Sequence, residues 1–145
     1  MKYTSELFII LISIFTFGIY GLYWYFSRRK NISGLVDGMK FPDVGLAVYV
    51  IGWVLLFFVS PEDSEISENA ADFSGVAYLV IWAGAVWMCF SIKKILNEYA
   101  AKNCNDEAVF KVISSSDVAL FFLGYICLQF QINKMIKAEI FAPAL

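Results

Sequence analysis

The sequence predicts an all-α fold, a polytopic membrane helical bundle built on four apolar segments, residues 7–26, 44–59, 73–92 and 118–132. Three observations point there. None of the four segments contains Asp, Glu, Lys or Arg. The chain is 60% hydrophobic, 18% aromatic and only 17% charged, with mean hydropathy +0.68. A soluble domain is about a quarter charged, and one core of 145 residues could not hide the surplus apolar surface. Finally, the segments between the apolar runs are sharply polarised in charge. The length fits a single integral membrane domain, residues 1–145.

The first segment, Leu7–Phe26, is long enough for a helix to cross a hydrocarbon core of roughly 30 Å. It ends in the ring-rich stretch TFGIYGLYWYFSRRK, residues 16–30. Tyr20, Tyr23, Trp24 and Tyr25 are predicted to form an interfacial belt, since such rings have one apolar and one wet end. Arg28, Arg29 and Lys30 are then expected among anionic headgroups, each gaining about 1 kcal/mol there. Gly18 and Gly21 mark a kink or a close-contact face. The opening MKYTSE has one Lys offset by Glu6 and leads to no small-residue cleavage site, so the segment is expected to be retained.

The second segment, Val44–Val59, is short but can borrow Phe41 and Pro42. It carries Gly45 and Gly52 seven residues apart. The third, Phe73–Ile92, carries Ala77, Gly84 and Ser91 at the same spacing. Lipid gives helices no hydrophobic reason to associate, so small residues that admit close backbones mark contact faces. The two seams are predicted to face each other in an antiparallel pair. The third helix is expected to run on through KKILNEYAAKN, with Glu98 four residues before Lys102. Its stripe Ile92, Ile95, Leu96 and Tyr99 is expected to rest on the bilayer surface. SSSD, residues 114–117, is a helix start signal. The fourth segment, Val118–Ile132, falls below the usual spanning length of roughly 17–25 residues. It either spans or dips in and returns.

That last segment echoes the first. Residues 17–29 lie over 123–135 without a gap, aligning Gly18 with Gly124, Leu22 with Leu128, Trp24 with Phe130 and Arg28 with Lys134. Cytoplasmic loops collect Lys and Arg. Residues 27–43 and 93–117 are therefore predicted to be cytoplasmic, and the acidic SPEDSEISENAAD, residues 60–72, to lie outside. Four full spans put eight cations inside and three outside (Lys2, Lys134 and Lys137); a re-entrant last segment makes it ten to one.

No chemistry is legible. The chain has no histidine and none of the hydrolase, metalloprotease, P-loop or dinucleotide patterns. Cys89, Cys104 and Cys127 form no CxxC and read as small hydrophobes. The acidic loop lacks the glycine and spacing of an EF-hand. Catalytic residues, metal ligands and cofactors are therefore none, and the net charge of −2 without a basic stripe excludes nucleic acid. The polar groups of interest are Gln129 and Asn133, one turn apart on one helix face, with Gln131 pointing elsewhere. They serve either interhelical hydrogen bonding or the lining of a small polar passage. Neither half of the chain shows a discontinuous helix pair, which argues against transport by one protomer.

TFGIYGLYWYF followed by a basic stop resembles the signature of a bacterial family of small membrane proteins, domain of unknown function 4234. LQFQINK, residues 128–134, is similar to that family's closing pattern, with Gln129, Asn133 and Lys134 in its places. The resemblance implies a multi-helix protein of the bacterial inner membrane and no particular activity. The expectation is a non-catalytic, multi-pass membrane protein that acts through association. Its partners are the lipid bilayer and either itself, as a homo-oligomer, or another membrane protein. The alternatives are an oligomeric channel or transporter-like element and a membrane immunity or exclusion factor.

Overall fold

A computed structural model describes residues 5–15, 19–59, 68–104 and 116–141. Every regular element among them is a helix: α1 Glu6–Phe15, α2 Ile19–Ser33, α3 Asp43–Val59, α4 Glu68–Asn103, α5 Asp117–Leu123 and α6 Tyr125–Lys137. Among the described residues, one helix is long and apolar enough to cross a membrane, over Ser74–Asn103 within α4; α3 is apolar but shorter. The chain divides into two compact units, one of residues 42–88 and the other of residues 1–41 with 89–145; the second division falls inside α4.

The smaller unit holds α3 and the first part of α4. Pro42 precedes α3 and its carbonyl accepts from the Leu46 amide at 3.1 Å. Asp43 in the first turn complements the helix dipole. The two helices approach backbone to backbone. A Cβ built on Gly45 would meet Met88, one on Gly84 would meet the Tyr49 backbone, and one on Gly52 would meet Ile81. As the number rises along α3 it falls along α4, so the pair is antiparallel. Ala77 is buried in this unit. Ser91 lies beyond Met88, in the other unit, and is half-exposed.

One boundary of α4 differs from the sequence reading. The acidic segment was expected to be loop through Asp72, yet α4 already begins at Glu68; Glu-Asn-Ala-Ala is good helix material that a charge count alone assigns to a loop. Residues 60–67 and 105–115 lie outside the described residues. At the other end α4 continues to Asn103, with Lys102 Nζ 3.6 Å from Glu98 Oε1. Ile92, Ile95 and Leu96 do not rest on a bilayer surface. They are buried within the protein, and the Tyr99 ring stacks on Phe141 at 5.4 Å. An apolar stripe fits either partner, and here it is buried within the larger unit.

The larger unit corrects the last segment. Within the first, the described residues are α1, to Phe15, and α2, from Ile19 through the cationic stop to Ser33; Thr16, Phe17 and Gly18 lie outside the described residues. Residues 118–132 are two helices, divided at Gly124; of the two alternatives for this segment, the structure has the broken one. Gly124 has φ 53° and ψ −128°, a region that only glycine enters cheaply. Its amide closes α5 on the Leu120 carbonyl at 2.8 Å, and its carbonyl accepts from Cys127 and Leu128 to open α6.

The chain reverses at that glycine. Asp117, at the start of α5, bonds Lys93 of α4. Gly124 comes beside Cys89, which lies one turn earlier on α4. Gln131 then bonds Asn97, and Phe141 meets Tyr99, each further on. So α5 runs against α4 and α6 returns along it. With 7 residues, α5 is about 10 Å long. The last segment is therefore a helical hairpin with its turn beside Cys89 and both of its ends further along α4.

The backbone at Gly124 yields a direct expectation. A Cβ there would touch Cys89 Sγ at an ordinary 3.7 Å, so space is not the obstacle; the dihedrals are. Gly124→Ala is expected to destabilise the protein by about 1–3 kcal/mol, read as a lower melting temperature in detergent. Gly75 has open space around its Cβ position and no such dihedral, and Gly75→Ala is expected to leave melting unchanged or raise it slightly.

A buried polar network between α2 and α6

Helix α2 presents Trp24 and Arg28 four residues apart, hence on one face. Helix α6 presents Gln129 and Asn133 with the same spacing. The two faces meet. Trp24 Nε1 donates to Gln129 Oε1 at 2.8 Å, and Arg28 Nη2 donates to the same oxygen at 3.3 Å. Gln129 Nε2 donates in turn to Asn133 Oδ1 at 2.9 Å. All four are buried: Trp24 is 2%, Arg28 8%, Gln129 1% and Asn133 0% exposed. One carboxamide therefore uses both of its ends, accepting twice from α2 and donating once along α6.

Around this core lie rings. Tyr125 stands 6.2 Å from Tyr20, 5.9 Å from Trp24 and 6.2 Å from Tyr25, centroid to centroid. Tyr20 faces Tyr125 and Trp24 faces Gln129, so α2 and α6 run parallel, with the echoing stretches of sequence side by side. The Tyr25 hydroxyl is 3.0 Å from Cys89 Sγ, tying α2 to α4. Gln131 Nε2 donates to Asn97 Oδ1 at 2.7 Å, tying α6 to α4. Burial lowers the pKa of Arg28 from the usual guanidinium value, though such a group stays charged at neutral pH.

These positions correct part of the interfacial assignment. Trp24, Tyr25 and Arg28 were expected to face headgroups; they point inward, because α6 offers a carboxamide acceptor and ring surface where lipid was expected. Tyr23, Arg29 and Lys30 are exposed and Tyr20 is half-exposed. Sequence reading found Gln129 and Asn133 but missed the partners Trp24 and Arg28, and the bond of Gln131 to Asn97. The matching four-residue spacing of Trp24–Arg28 and Gln129–Asn133 was the available signal.

Chemically the network is a structural clasp. Gln129 and Asn133 are closed off and committed to bonds, which does not suit the lining of an open passage within one chain. Among the described residues no group of three His, Cys, Asp or Glu could hold a metal ion. Comparison with protein-family models, curated proteins and solved structures finds no match to this chain.

Proposed function

We propose that this chain is a multi-pass membrane protein without catalytic activity, acting through association with itself or with another membrane component. The observation that carries this reading is the inverted distribution of polarity. Phe57 and Phe58 are 82% and 81% exposed, and Leu7, Leu79, Val118 and Phe122 are exposed as well, while Arg28, Gln129, Gln131 and Asn133 are buried. In water that arrangement forfeits apolar burial and desolvates polar groups together. In lipid the exposed rings cost nothing, and the buried Arg28, Gln129, Gln131 and Asn133 have partners they would lack among acyl chains.

The hairpin supports a particular topology within this reading. Segments 7–26, 44–59 and 73–92 cross, α5 and α6 dip in and return, and the end of the last segment joins residues 27–43 and 93–117 on the cytoplasmic side. The parallel course of α2 and α6 puts Arg28, Arg29 and Lys30 at the same end as Lys134 and Lys137, giving ten cations inside and one outside. The acidic segment then faces outward, across a bacterial inner membrane. The likeness to domain of unknown function 4234 belongs to the same proposal.

Reconstitution tests the functional half. Purified protein in liposomes is expected to pass neither ions nor small polar solutes above the protein-free rate. Flux that Gln129→Leu abolishes would instead establish a channel lined by the network.

A further inference from the structure

A cleft of about 470 Å3 lies where α5 leaves α4, lined by Phe90, Lys93, Lys94, Asn97, Glu98 and Asp117. Its size falls within the range of roughly 300–1,000 Å3 common for small-ligand sites. Its walls bring two ammonium groups and two carboxylates, so the lining is neutral in sum and strongly polar in detail. A ligand of one sign would be repelled by half of it, whereas a ligand carrying both signs satisfies both halves. Two contacts between helices hold the walls. Lys93 Nζ sits 2.6 Å from Asp117 Oδ1, and Asn97 Oδ1 accepts from Gln131 Nε2. The cleft also straddles a change of medium. The uncharged run of α4 ends at Ile92, so Phe90 stands on the apolar side and Lys93 onward on the wet side.

We propose that this cleft binds the phosphoethanolamine headgroup of a membrane phospholipid. The phosphate lies toward Lys93 and Lys94, the ammonium donates toward Glu98 and Asp117, and the acyl chains leave past Phe90. The proposal rests on the bilayer placement argued above.

The test uses the full chain, delipidated in mild detergent and offered equal amounts of phosphatidylethanolamine, phosphatidylglycerol and phosphatidylcholine before native mass spectrometry. The expected result is one retained phosphatidylethanolamine, favoured about fivefold over each of the others, as one partly exposed charge contact allows. Lys94→Gln combined with Glu98→Gln is expected to erase that preference without changing the melting temperature, and Lys30→Gln to leave it intact. Equal or greater retention of phosphatidylglycerol, or a preference that survives the double substitution, overturns the site. If soluble glycerophosphoethanolamine displaces the lipid at equal concentration, the ligand is a free zwitterion and the lipid assignment fails. A protein that needs no detergent to stay dispersed contradicts the bilayer placement itself, whereas absent lipid preference in a detergent-requiring protein contradicts only the cleft.

Discussion

Gln129→Leu is expected to cost about 3 kcal/mol of stability, the largest effect of any single side chain in the clasp. The size follows from what leucine cannot do. Trp24 Nε1 loses its acceptor, Arg28 loses one, and Asn133 loses the donor from Gln129. A buried donor stripped of its acceptor costs roughly 1–3 kcal/mol, more when it is charged. Leucine nearly matches glutamine in volume, so packing contributes little to the difference. Gln129→Glu is the informative companion. A carboxylate keeps both acceptor contacts and turns the charge-assisted bond from Arg28 into an ion pair, while giving up only the donor to Asn133. It is expected to recover most of the loss. Thermal or denaturant unfolding in detergent reads both variants. A Q129L protein as stable as the parent would show that the clasp between α2 and α6 carries no weight.

Gly84→Ala is expected to cost about 1–3 kcal/mol for a different reason. A Cβ on Gly84 would stand 2.7 Å from the Tyr49 nitrogen and 3.0 Å from its Cα, both of them backbone atoms. No rotamer relieves that, so α3 and α4 must move apart along their contact. The closest approach to Gly45 is met from both sides, its carbonyl lying 3.2 Å from the Gly84 position. Leucine at 84 should separate the pair outright. Unfolding in detergent reads the loss, with Gly75→Ala, on an open face of the same helix, as the reference. Equal stability of the two alanine variants would contradict close packing of α3 on α4.

The sequence made the helical class and the polarity of the surface legible. Uncharged runs demand helices, because hydrocarbon tolerates no unpaired peptide groups. The glycine seams were legible for the same reason: only small residues let two backbones touch. Direction was harder to read. Composition cannot tell whether the rings of Trp24 and Tyr25 look out at headgroups or in at another helix, since an amphipathic ring suits both. The reversal at Gly124 was readable only as an alternative. A single glycine in an apolar run is compatible with a straight helix, a kink or a turn, and what selects the turn is tertiary. Lys93 holds Asp117 at the entry and Asn97 holds Gln131 on the return. Arg28 was assigned by its charge to the lipid headgroups, and the acceptor that draws it inward stands 101 positions away in the chain.

The central claim is that this chain is embedded in a bilayer with its last segment returning to the cytoplasmic side. It is tested most directly by fusing, after Leu145, a reporter active only in the cytoplasm, and assaying its activity in the membrane pellet of cells before and after an alkaline wash. The expected result is an active reporter that stays with the washed pellet. A fusion held in the pellet but inactive would mean that the last segment crosses fully, and activity released to the supernatant would mean that lipid does not surround the uncharged helices at all.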